Sequence, residues 1–363
     1  MKILHLIDSG GLYGAEKMLL ALVEEQVKQK IEPLIVSVSD KHEAKALEVE
    51  ATGLGLPIKS WKMQSGFSIS STRRLIRWAR ENHYHLVHSH GYRFDISLLA
   101  FPAFIRKIPV VSTVHGYTAV KRFSKLWWYK LADITLLSLA DHVAVVSEEL
   151  RRKFFWLNKV TFIPNGLTEK YEVGNSFQPS FCGDNRYLAS VGRLSREKGF
   201  DLVVRALAKL KHRGACPNLV IAGDGPEREN LEEMVRNENL GDSIVFLGYV
   251  DDAASLIENA DALIIPSRSE GLPIVLLEAM RAKTPVISTR VGEIPSVLEY
   301  GKLGMLCEKN ADDLARAISK YISDKESARE IAESAYYTFC AKYTASIMAR
   351  EYMLIYERVL NRC

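Results

Sequence analysis

Residues 262–280 read "ALIIPSRSEGLPIVLLEAM", and this stretch decides what the chain is built from. "ALIIPS" is a short apolar run of the kind that fills a buried strand, "RSEG" is a turn, and Pro273 opens an apolar helical pattern. The free amides in the first turn of such a helix point back over the carboxyl end of the strand, where they favour an anion. Glu270 stands in the turn and Glu278 in the second turn of the helix, so both flank a ligand seated there. Carboxylates repel phosphate, and their partners should be hydroxyl groups that donate to them. A nucleotide sugar supplies both parts: a diphosphate, with ribose and hexose hydroxyls on either side of it.

The same strand, turn and helix rhythm extends in both directions. Upstream it passes through "KILHLID", "PLIVSVS", "HLVHSH", "PVVSTVH", "HVAVVS" and "VTFIPNG"; it falters over residues 169–185, "EKYEVGNSFQPSFCGDN", and restarts at "RYLASVGR" and "NLVIAGDG". Near-continuous apolar strands alternating with helices predict parallel sheets covered on both faces. The expectation is an α/β chain of two doubly wound domains, 1–170 and 171–345, with ligands where the strand ends of both face a shared crevice. The stretch 346–363 has apolar Met348, Tyr352, Ile355, Tyr356 and Val359 at helical spacing and is expected to pack across to the first domain.

Composition supports two cores and excludes several classes. The chain has 363 residues, 47% of them hydrophobic, more than a single core usually serves. Lys plus Arg number 48 against 44 acids, a net charge of +4, which gives no argument for a nucleic-acid binder. Five cysteines, Cys182, Cys216, Cys307, Cys340 and Cys363, are scattered with no Cys-x-x-Cys pair, against a disulfide framework or zinc site and in favour of a reducing cytoplasm. The opening "MKILHLIDSGG" lacks the pattern of a leader, and the apolar run "ISLLAFPAFI" is short and broken by Pro102.

Three further motifs bear on ligands. Gly10, Gly11 and Gly14 in "SGGLYGAE" follow the first strand and precede a helix, a turn that lets amides approach an anion and equally serves tight strand-to-helix geometry. In "VGRLSREKGF", Arg193 and Lys198 follow a strand; a planar fork and a point charge suit a diphosphate, and a solvated basic turn would read the same way. "AGDGPERENL" marks a strand end and a helix start with Pro226 at a first helical position. His88 and His90 share a strand face by alternation, but no acid or cysteine nearby in the sequence completes a metal site, so none is assigned.

Glu270-Gly271-Leu272-Pro273 followed by Leu277-Glu278-Ala279-Met280 resembles the E-x7-E motif of retaining glycosyltransferases of family 4, the glycogen-synthase-like group 1. The resemblance extends through "GGLYGAE", "VHG" at 114–116, "IPNG" at 163–166, "VGRLSREKGFDLVVRA", "AGDGP", "LGYV" and "TPVISTRVGEIPSVL". It implies a GT-B fold, two Rossmann-like domains facing a central cleft, with the acceptor held mostly by the first and the donor by the second. It further implies catalytic roles for Glu270, His115, Arg193 and Lys198. Arg193 and Lys198 would neutralise the diphosphate, Glu278 would hold the ribose and Glu270 the sugar. Gly271, Leu272, Pro273 and Ile274 would contact sugar and phosphate, while Tyr249 and Val250 would line the base. His115 would lie near the transferred sugar, Gly11 would close over the phosphates and Gly14 would face the acceptor.

No Asp-x-Asp occurs in the chain, so no metal or other cofactor is expected, and the leaving diphosphate would rest on Arg193, Lys198 and a helix terminus. The implied activity is retaining transfer of a hexose-type sugar from a nucleoside-diphosphate donor to a glycan or lipid-linked acceptor in cell-surface polysaccharide or glycolipid assembly. The alternative is a non-catalytic nucleotide-sugar-binding protein or partner subunit of the same fold. Basic and aromatic residues mix in "STRRLIRWAR" and "YTAVKRFSKLWWYKLADITLL" of the first domain, a composition suited to peripheral contact at the inner face of a membrane as well as to ordinary burial.

Overall fold

The computed structural model describes the chain except residues 9–10, 40–43, 64–66, 117–121, 170–180, 182–185, 251 and 363. Gly10, Lys121, Cys182, Cys363 and most of the expected linker therefore lie outside the described residues. Two compact units form, Met1–Thr168 together with Thr344–Cys363, and Glu169–Tyr343.

The first unit is built on strands β1 (Lys2–Ile7), β2 (Glu32–Ser39), β3 (Ile58–Lys62), β4 (Leu86–Ser89), β5 (Val110–Val114), β6 (His142–Val145) and β7 (Val160–Phe162). They pair in the order β3-β2-β1-β4-β5-β6-β7, in parallel throughout. Central strands covered by helices on both faces need apolar side chains on both, which is why "KILHLI" reads as a continuous run; Ile3, Leu4 and Leu6 are completely buried. Each such side chain contributes roughly 1.5–3 kcal/mol relative to exposure.

The second unit repeats the plan with β8 (Leu188–Val191), β9 (Leu219–Ala222), β10 (Ile244–Gly248), β11 (Ala262–Ile265), β12 (Val286–Thr289) and β13 (Met305–Cys307). The order is β10-β9-β8-β11-β12-β13. Its core joins strand residues Leu219, Ile221 and Ile264 to Val203 and Leu207 of the helix Phe200–His212 and to Leu314 and Ile318 of the helix Ala311–Ser323. In both sheets the order reverses once, between β1 and β4 and between β8 and β11. Successive crossovers leave to opposite faces there, opening a crevice beyond the strands' carboxyl ends.

The C-terminal helix Ala345–Leu360 belongs to the first unit and packs on the helix Gly14–Lys28. Ala345 N–H donates to the Leu167 carbonyl at 2.7 Å, and the helix buries Tyr352, Ile355 and Tyr356. Among the described residues no helix is long and apolar enough to cross a membrane. Pro226 departs from its expected place: the helix begins at Arg228 with Glu227 as its cap, because Glu227 N–H is tied to the Leu194 carbonyl at 3.0 Å and holds the preceding residues in a turn.

Candidate functional site

The reversal between β8 and β11 brings the loop carrying Arg193 and Lys198 beside the loop carrying Glu270. β8 ends at Val191, and its connection runs through a single turn of tighter helix, Arg196–Lys198, to the helix Phe200–His212. β11 ends at Ile265, and its connection reaches the helix Ile274–Arg281, capped by Pro273. Backbone bonds join the two connections: Arg268 and Ser269 N–H donate to the Glu197 carbonyl at 2.8 and 3.3 Å. The Arg268 guanidinium adds a bidentate grip on Asp201, at 2.5 and 2.7 Å, and holds that carboxyl below its ordinary range. Planar forks of this kind fix geometry as well as charge.

The two loops approach so closely that one position admits only glycine. Gly199 adopts φ +68°, and a Cβ there would lie 2.2 Å from the Pro266 carbonyl oxygen. From the other side, Gly292 adopts φ +54°, and its Cβ would fall 2.3 Å from the Glu270 carbonyl oxygen. Glu293 N–H meanwhile donates to the Gly271 carbonyl at 3.0 Å. The backbone of Glu270 and Gly271 is thus held against β8 and β12 connections together.

Within this frame Lys198 Nζ donates to Glu270 Oε1 at 2.6 Å, and Ser267 Oγ donates to the same oxygen at 2.7 Å. Both donors use Oε1, so Oε2 has no protein donor among the described residues and remains able to accept from a hydroxyl. Glu278 is buried, as are Leu272, Pro273 and Ile274, while Gly271 is half-buried. Arg193 is exposed in the turn after β8, Tyr249 is exposed at the end of β10, and Val250 beside it is half-buried. These residues all follow the carboxyl ends of strands in one sheet, next to a helix start able to face an anion. The arrangement can hold a negative group at Lys198 and Arg193 and a hydroxylated one at Glu270.

In the first unit the β1–β4 reversal places Asp8 beside Arg93, Nη1 to Oδ2 at 2.7 Å. Gly11 lies in the turn after β1, and Gly14 is the first residue of the helix Gly14–Lys28. His115 follows β5; its Nε2 is buried with no hydrogen-bond partner among the described residues, and burial pushes its pKa down to about 4. Its ring stacks with that of His90 at 5.8 Å. These residues share a unit with one another and not with Glu270 and Lys198.

Beneath them sits a polar cluster that the sequence reading only half found. His5 lies opposite His88 in the β1–β4 register, and ligand atoms of His5, His88 and His90 lie within 4.8 Å of one another. His5 Nε2 is 2.8 Å from Gln26 Oε1, and its Nδ1 is 3.1 Å from His90 Nε2. Both nitrogens of His88 are already engaged, by Tyr356 OH and Thr113 Oγ1, each at 2.7 Å. Burial lowers the pKa of all three rings and keeps them neutral at pH 7. Sequence separation hid His5, which lies 85 residues from His90; its signal was a polar residue inside an otherwise apolar strand.

Residues 13–170 match the model of Glycosyltransferase Family 4, and residues 175–338 match that of the group 1 glycosyl transferases. An uncharacterized glycosyltransferase of Methanocaldococcus jannaschii is 33% identical over 275 residues, covering 70% of this chain and 70% of its own. The chain is a group 1 glycosyltransferase. Along nearly its whole length this glycosyltransferase is also similar to the Escherichia coli O-antigen biosynthesis glycosyltransferase WclY, 24% identical over 379 residues and 99% of each chain. Among solved structures, Anabaena HepE in complex with UDP and glucose shares its fold with a TM-score of 0.81 at 21% identity, over 99% of this chain and 100% of that one. Two Rossmann-like parallel sheets make it a GT-B glycosyltransferase.

Sequence reasoning missed two groups around Glu270 in this glycosyltransferase. Ser267 shares the Glu270 oxygen with Lys198, and Asp201 anchors the neighbouring Arg268. Ser267 sits three residues before Glu270, and a hydroxyl that close to an acid in the same turn was the available signal. Asp201 offered none, since an acid in a first helical turn is ordinary.

Proposed function

We propose that this glycosyltransferase is a retaining, metal-independent enzyme of the cytoplasm that moves a hexose-type sugar from a nucleoside diphosphate to a glycan or lipid-linked acceptor. The observation that carries the reading is the Lys198–Glu270 pair at the β8–β11 reversal, a cation and a hydroxyl acceptor 2.6 Å apart beside a helix start. The donor's diphosphate is drawn to Lys198, Arg193 and the amides opening the helix Ile274–Arg281. Its sugar hydroxyls donate to Glu270, and its ribose to Glu278. HepE, solved with UDP and glucose, supports a donor of this class, and WclY supports an acceptor in surface-polysaccharide assembly.

In the reaction the bond between the sugar's anomeric carbon and the diphosphate oxygen breaks, and the acceptor oxygen bonds to the same carbon from the same face. A donor phosphate oxygen takes the acceptor proton. Negative charge grows on the leaving diphosphate, and fixed cations and amides stabilise it without reorganising. His115, neutral because of burial, offers a polar contact on the acceptor side. Glu270 positions the sugar and forms no covalent bond in this route.

The test supplies single nucleotide sugars in EDTA, first without and then with candidate acceptors, and follows release of the nucleoside diphosphate. The reading expects slow donor hydrolysis alone, faster release with one acceptor class, and a product with the donor's anomeric configuration by NMR. A donor left whole under all conditions would favour a binding protein or partner subunit. An inverted product or a strict requirement for a divalent cation would overturn the retaining, metal-independent reading.

A further inference from the structure

We propose that the face of the first unit formed by the helices Ile69–Glu81 and Lys125–Leu136 seats on an anionic membrane surface. This goes beyond the donor chemistry and stands on residues remote in sequence from it. The helix Lys125–Leu136 packs inward through Ile134 and Leu136, yet of its twelve residues only Asp133 is fully buried. Leu126, Trp128 and Leu131 are 52%, 53% and 44% exposed. Phe123, just ahead of the helix, is 64% exposed. Water-facing apolar side chains at this density mark an interaction surface and not a core.

The neighbouring helix contributes charge. Ile69, Arg73, Arg77 and Arg80 form one exposed stripe at helical spacing, and Arg74 beside them is exposed as well. The two helices meet through Phe67, immediately before the first, whose ring packs edge-on against Tyr129 of the second at 4.8 Å. Lys125 lies over the Tyr129 ring at 5.7 Å, so cations and aromatics interleave. On these two helices the acids are Glu81, at the end of one, and Asp133, which is buried. The exposed face is therefore strongly basic.

The chemistry selects the occupant. A polybasic surface attracts anionic headgroups, and Trp, Phe and Leu beside it bury themselves at the headgroup boundary. A nucleic-acid backbone would use the cations but leave Ile69, Leu126 and Leu131 in water. Docking by this face brings the unit to the surface where a lipid-linked acceptor would be presented.

The test is co-sedimentation of the full chain with phosphatidylcholine vesicles and with vesicles containing about one-third phosphatidylglycerol, at low and high salt. Binding is expected on the anionic vesicles, at least tenfold weaker on the neutral ones, and weakened by salt. Each cation near such a surface changes affinity about fivefold, so the double variant Arg73→Gln with Arg77→Gln should bind about 25-fold more weakly. Trp128→Ser should weaken it several-fold while leaving nucleoside diphosphate titration unchanged, which shows that the fold survives. Equal binding to both vesicle types, no binding to either, or indifference to the arginine pair would overturn the proposal. So would self-association without lipid that the same variants abolish, since the face would then belong to a second copy.

Discussion

Lys198 and Glu270, 72 residues apart in sequence, meet at 2.6 Å where the second sheet reverses its order. Glu270 is side by side with Ser267 as well, and both donors converge on one oxygen. Under the proposed donor site, the lysine assigned to phosphate is held in place by the carboxylate assigned to sugar, and Ser267 would keep Glu270 oriented if the lysine turned to a diphosphate.

Substitutions at this pair should separate binding from turnover. Lys198→Ala removes a charge-assisted contact of about 1.5–3 kcal/mol, so nucleoside diphosphate should bind about tenfold or more weakly by calorimetry. Glu270→Gln frees Lys198 and should bind nucleoside diphosphate no more weakly than the parent, yet lose about a hundredfold or more in kcat. Equal loss of affinity in both variants would contradict the division of roles.

The glycine after β12 should be intolerant for a geometric reason. A Cβ at Gly292 would meet the Glu270 carbonyl oxygen at 2.3 Å with φ at +54°, so Gly292→Ala should cost about 1–3 kcal/mol of stability and displace Glu270. Gly53, at a helix end, has nothing among the described residues within 4 Å of its Cβ position, and Gly53→Ala should be neutral or slightly stabilising. Thermal unfolding with parallel kcat measurements checks the contrast.

Acid should destabilise the fold through its buried imidazoles. His5, His115 and His142 have pKa values pushed down by burial to about 4, against about 6.5 in an unfolded chain. Between those values the unfolded chain binds more protons. Stability is therefore complete above about pH 6.5 and falls as pH drops towards 4, by up to about 1.4 kcal/mol per pH unit for each group. Urea titrations at several pH values should show this slope, and His142→Gln should reduce it; a flat profile would refute the linkage.

The C-terminal helix should depend on one hydroxyl. Tyr356→Phe keeps the ring but strands His88 Nδ1, which lies 2.7 Å from Tyr356 OH in a fully buried setting. Leaving a buried polar atom unsatisfied costs about 1–3 kcal/mol. Chemical denaturation should register that loss, and an unchanged midpoint would show that the His88 contact contributes nothing.

Much of this architecture was legible because each signal was local. Runs such as "KILHLI" and "ALII" are buried on both faces of parallel sheets and so lose the alternation of half-exposed strands. The placement of Glu270, Lys198 and Arg193 after strand ends, where doubly wound folds collect ligand contacts, was readable from the apolar runs that precede them. What sequence could not supply was pairing across the sheet. The register that sets His5 against His88, and the backbone approach that requires Gly199 and Gly292, depend on strand order, which no local pattern encodes. Pro226 failed differently: its helix start was displaced by a bond from Glu227 to Leu194 on a neighbouring loop.

The most direct test of the donor site is calorimetric titration with UDP, GDP and ADP in EDTA, on the parent chain and on Glu278→Ala and Arg193→Ala. The account predicts that one nucleotide binds without metal and that both substitutions weaken it, Glu278→Ala through lost ribose contacts and Arg193→Ala through lost phosphate contacts. If no nucleotide binds, or if one binds and neither substitution affects it, the β8–β11 reversal is not the donor site.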